Sequence, residues 1–131
     1  MSYTVTLGTN GDIIIGPYSD SESLKFMQET VGGYVEHLDI TCKGFGLDMW
    51  VNEEGLLKSL PYNALASYIV NQTWIEHHVP ADEPYIVGDI VITGGTPDGD
   101  ARGLTLDEMR AIARMSEDFA TLYGIDITIE D

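Results

Sequence analysis

Polar and apolar positions along the chain alternate in short runs, interrupted by a few stretches of helical spacing. Tyr3-Thr4-Val5-Thr6-Leu7 alternates with the period of a half-buried strand. Gly8 to Asp12 supplies turn chemistry around Asn10-Gly11, and the β-branched run Ile13-Ile14-Ile15 returns as the second strand of a hairpin. Ser19 and Glu22 have the spacing of a capping box. Leu24, Met27 and Val31 then recur at helical intervals beside Phe26 and Thr30, and Gly32-Gly33 ends the helix. Tyr34 to Ile40 reads as a strand, with Glu36, Leu38 and Ile40 on one face and His37 and Asp39 on the other. A loop carrying Gly44 and Gly46 leads to a strand over Leu47 to Val51, and Asn52-Glu53-Glu54-Gly55 reads as a turn.

Asn63 is a good N-cap for a short helix carrying Leu65, Ala66, Ile69 and Val70. The stretch from Thr73 to Tyr85, with Trp74, Ile75, two histidines and two prolines, reads as a surface loop. Gly88 to Gly94 is a short β-branched strand, followed by a polar loop to Gly103. The last helix is announced by a capping box at Thr105 and Glu108. It carries a stripe of Met109, Ile112, Ala113, Phe119 and Leu122, and stops at Gly124. Ile125, Ile127 and Ile129 share one face of a final strand. Strands outnumber helices and follow one another through short turns. The expected fold is therefore α+β: a single two-layer domain over residues 1–131, with a largely antiparallel sheet of five to six strands and two or three helices on one face.

Composition narrows the function classes. Six basic side chains against 22 acidic ones give 131 residues a net charge of −16. Direct binding to nucleic acid or an anionic membrane is not expected, because either needs a basic patch. The apolar runs are too short for a transmembrane helix, and no basic-then-apolar leader opens the chain, so a cytoplasmic protein is expected. A single cysteine, Cys42, excludes an internal disulfide and a Cys-based zinc cluster. The charge has three explanations: a salt-rich host, solubility, or mimicry of nucleic acid. Duplex DNA carries about one charge per 110 Å², whereas 22 acids spread over a protein of this mass give about one per 310 Å². Mimicry would need the acids gathered on one face.

No Walker A loop, nucleotide-fold glycine motif, nucleophile elbow or metalloprotease helix occurs, so no catalytic residue is assigned. His77 and His78 are adjacent and point apart, so no metal ligands or cofactors are assigned either. Asp98-Gly99-Asp100 begins like a calcium loop, but Met109 stands where the closing glutamate is required. The residues best suited to contact a ligand or partner are Trp50 and Trp74, the turn residues Asn52, Glu53 and Glu54, and the acids Asp98 and Asp100. Exposed edge strands would permit pairing between copies, which no residue pattern specifies.

Four segments occur in an order and spacing similar to a family: Gly32 to Glu36, Val51 to Leu57, Leu60 to Ala66, and Gly88 to Ile92. Together they resemble a small domain-of-unknown-function family scattered through phages, plasmids and bacterial genomes. The resemblance implies a phage or mobile-element setting and brings no catalytic residues with it. The leading expectation is a non-enzymatic accessory protein that binds a host protein, in its most concrete form an acidic inhibitor of a nucleic-acid-processing or defence enzyme. The alternative is a module binding a nucleotide or metabolite in a pocket lined by Trp50 or Trp74 and the Asn52–Gly55 turn.

Overall fold

A computed structural model describes residues 2–78 and 84–130. The proline-containing stretch 79–83, with its Asp82-Glu83 pair, lies outside the described residues, as does Asp131. The elements run β1 (Tyr3–Leu7), β2 (Asp12–Pro17), α1 (Ser23–Val31), β3 (Val35–Cys42), β4 (Phe45–Asn52), α2 (Ala64–Glu76), β5 (Ile90–Gly95), β6 (Ala101–Arg102), α3 (Leu106–Tyr123) and β7 (Thr128–Glu130). The fold is α+β, one domain around a largely antiparallel sheet. Its strand order is β3-β4-β5-β1-β2-β7, with β6 paired to β5 and β7 alone running parallel, to β2. Among the described residues, the two-residue β6 and the short β7 bring the count to seven strands, against an expectation of five to six.

The central strands are buried on both faces. Val5, Leu7, Met49, Ile90 and Ile92 project to one side, where Leu65, Ile69 and Val70 of α2 and Ala111, Ile112, Met115 and Phe119 of α3 close the main core. Burying each such aliphatic side chain contributes about 1.5–3 kcal/mol. Helix α1 takes the opposite face, beyond Asn52, whose side-chain amide donates to the Val31 carbonyl. The expected placing of the helices on one face therefore holds for α2 and α3 only. Thr4 and Thr6, the polar positions of an alternation that predicts a half-buried strand, are buried too, so β1 is covered on both faces.

Four local expectations are corrected. Ser19 does not cap α1: the helix starts at Ser23 after a turn, and its N-cap, Glu22, makes no side-chain capping bond. The loop around Gly44 and Gly46 is a two-residue turn at Lys43-Gly44, both with positive φ, and Gly46 belongs to β4. Such a turn matches the twist of the flanking strands. Thr73 to Glu76 are helical rather than loop, since Thr73 and Trp74 pack inward and prolong α2. Leu122 lies outside the buried stripe of α3, which runs through Glu108, Ala111, Ile112, Met115, Ser116 and Phe119. Among the described residues, no helix is long and apolar enough to cross a membrane.

Candidate functional site

Two sites stand out, on opposite faces of the β3–β4 hairpin. The first is a groove of about 400 Å³ at the sheet edge, lined by Leu38, Val51, the Asn52–Gly55 turn and Val87, with Glu36, Glu53 and Glu54 among its acids. Leu56 and Leu57 stand over it, 68 % and 84 % exposed, and Tyr85 is exposed beside them. Local chemistry builds the groove. The Asn52 side chain accepts from the Glu54 amide while donating to Val31, which pins the turn to the end of α1. The Glu53 amide donates to the Tyr34 carbonyl, and Gly88 donates to Pro61. Asn63 caps α2 through the Ala66 amide and donates to the carbonyls of Leu7 and Gly88. The four segments that carry the family resemblance thus meet at this end of the sheet.

The second site is a trio on the other face. The register pairs Asp39 with Asp48 and His37 with Trp50, so these side chains lie on one surface of the hairpin. His37 Nε2 is 2.8 Å from Asp48 Oδ1 and 3.0 Å from Asp39 Oδ1. Asp48 is 8 % exposed, and it reaches over Gly95, where any Cβ would strike its carboxylate. Trp50 packs against the His37 ring with centroids 5.2 Å apart, and its indole N–H donates to Thr93 Oγ1.

The residues singled out from sequence are dispersed between these sites and elsewhere. Trp50 adjoins the trio, whereas Asn52, Glu53 and Glu54 belong to the groove. Neither tryptophan lines the groove: Trp74 packs from α2 against the core. Asp98 and Asp100 lie exposed at the β5–β6 turn, which the Thr96 side chain holds through the Asp100 amide. His77 closes α2 and meets Thr41 Oγ1 rather than another histidine. Cys42 is fully buried. Burial first, and the Glu76 carboxylate second, push its thiol up to about 12, which makes it a poor nucleophile.

One further ionic device supports the fold. Arg102 binds both carboxylate oxygens of the buried Glu108 at 2.8 Å, and Glu108 Oε1 also accepts from the Thr105 amide. The Arg102 hydrogen bonds hold the Glu108 carboxyl below its usual range against the opposing effect of burial. This pair occupies the β6–α3 junction and hydrogen-bonds no member of either site, although Arg102 lies near enough to feel the Asp48 charge.

The histidine–aspartate trio carried no recognisable motif, because its members come from two strands. A signal was nevertheless present. With the turn fixed at Lys43-Gly44, residues whose numbers sum to 87 face each other, which brings Asp39 to Asp48 and His37 to Trp50.

A family model described as a domain of unknown function (DUF3846) matches residues 10–119. No curated protein matches the chain, and no solved structure does.

Proposed function

The chain belongs to the DUF3846 family, whose function is unknown, and from that premise we propose that it is a non-enzymatic accessory protein of a phage or mobile element. It works in the host cytoplasm by seating a host protein on the groove over the Asn52–Gly55 turn. The observation that carries this reading is the pair Leu56 and Leu57, held in solvent above an apolar floor and accompanied by Glu36, Glu53 and Glu54. Two large aliphatic side chains left mostly in water contribute little to folding, whereas full burial against a partner would gain up to about 1.5–3 kcal/mol each. The complementary partner surface offers apolar side chains flanked by lysine or arginine. Enzymes that process nucleic acids carry basic surfaces, and a chain of net charge −16 is drawn to them at long range.

The acids do not favour a duplex-like strip. Exposed carboxylates occupy α1 on one face (Glu29), α3 on the other (Asp107, Glu117, Asp118), and the turns at Glu53-Glu54 and Asp98 to Asp100. Twenty-two acids over 7408 Å² amount to about 340 Å² each, against about 110 Å² per charge on a duplex. The charge supports steering, and the groove supports contact.

The test is retention of a host protein by the wild type and by two variants, at low and high salt. Leu56→Ser with Leu57→Ser should abolish retention while leaving stability within about 0.5 kcal/mol, since both side chains are exposed. Leu122→Ser, at an exposed position on α3, should retain the partner. Equal retention by all three proteins would remove the groove from the account. The groove's volume also lies within the roughly 300–1,000 Å³ of small-molecule pockets, so a nucleotide or metabolite is the second reading. A ligand that raises the wild-type melting temperature, and not that of the double variant, would favour it.

A further inference from the structure

We infer that His37, Asp39 and Asp48 form a binding site for a first-row divalent transition ion, a site independent of the groove on the other face of the hairpin. Three donor atoms, one imidazole nitrogen and one oxygen from each carboxylate, lie within 4.8 Å of one another. Donors about 2.1 Å from a common ion in neighbouring coordination positions stand about 3.0–3.4 Å apart. The two His37–carboxylate separations, 2.8 and 3.0 Å, are close to that spacing before any adjustment. Asp39, whose side chain is 91 % exposed, can swing to complete it.

The buried member supplies a second, independent reason. Asp48 is nine-tenths buried and aimed into the trio, and among the described residues no group outside the trio hydrogen-bonds its carboxylate. Arg102 of β6, one strand beyond β5, donates instead to Glu108 and the Gly103 carbonyl. A carboxylate withdrawn from water normally has a cation or several donors around it. Here its one hydrogen-bond partner is an imidazole that a second carboxylate shares, and the Arg102 charge acts on it only at longer range. With His37 neutral the trio carries two negative charges, which a divalent ion cancels. One nitrogen and two oxygens form a borderline donor set that suits zinc, cobalt or manganese over calcium, and three protein ligands leave positions open to water. Gly95 is part of the construction, because a side chain there would displace Asp48.

Trp50 reports on the site through its contact with His37. The experiment uses Co²⁺ with the full chain. Equilibrium dialysis gives stoichiometry, visible absorption gives the ligand field, and tryptophan emission in a Trp74→Phe background gives proximity to Trp50. The expected result is one ion per chain, a new visible band, and quenching of Trp50 that Zn²⁺ reverses by displacement. His37→Gln and Asp39→Asn, both at exposed positions, should each weaken binding at least about tenfold. Asp48→Asn should do the same if it stays folded by circular dichroism. Asp98→Asn with Asp100→Asn should change nothing. Weak uptake without a visible band, equal in wild type and variants, would overturn the assignment, as would tight binding that survives His37→Gln.

Discussion

At the scale of single residues, a few polar side chains decide where the fold is held and where it is left open. Asn63 is the clearest case. It is buried, its side-chain oxygen caps α2, and its amide ties the ends of β1 and the β5 approach together. Asn63→Ala should lose about 1 kcal/mol of capping and a further 1–3 kcal/mol from carbonyls left without a donor. Asn63→Asp keeps the cap but removes both donors and buries a charge, so it should be no more stable than Asn63→Ala at neutral pH. Urea denaturation of the two variants checks this, and a loss confined to Asn63→Ala would mean that only the cap matters. Asn63 was readable as an N-cap from its position before an apolar helical pattern. Its two long-range hydrogen bonds were not, because they depend on which strands lie beside it.

At the scale of elements, legibility followed the range of the interaction that fixes each one. The capping box of α3 and the alternation of β1, β3 and β4 are local, and both were evident from spacing. The end of α2 was not: Thr73 forms a hydrogen bond with the Thr41 amide of β3, an interaction no local pattern announces. The trio was hidden for the same reason, since its geometry follows from the hairpin register rather than from adjacent letters. The β6–α3 junction offers a quantitative check. Glu108 is ionised more readily in the folded chain than at its ordinary value of 4.5, through the Arg102 hydrogen bonds first. Its contribution to stability is therefore complete above the unfolded value and is lost as pH falls through the depressed folded one. Glu108→Gln should cost about 2 kcal/mol near pH 7, and the gap from wild type should narrow in acid below the unfolded carboxyl range. Chemical denaturation at both pH values measures it, and a gap independent of pH would show that packing, rather than ionisation, carries the effect.

At the scale of the molecule, the chain combines a sheet with helices on both faces, an acidic exterior and an apolar groove at the sheet edge. The charge was evident from composition, but its dispersal over both faces required the fold, as did the meeting of four separated segments at one end of the sheet. The account rests on that groove being where a partner lands. The most direct measurement replaces Leu57, and in a separate protein Leu122, with a photoreactive aliphatic residue and identifies the adducts formed in host cells and in host extract. The account predicts one dominant protein adduct from position 57, none from position 122, and a weaker yield in extract as salt rises and the screening length falls from about 10 Å to about 3 Å. Equal labelling from the two positions, or none from position 57, would contradict it.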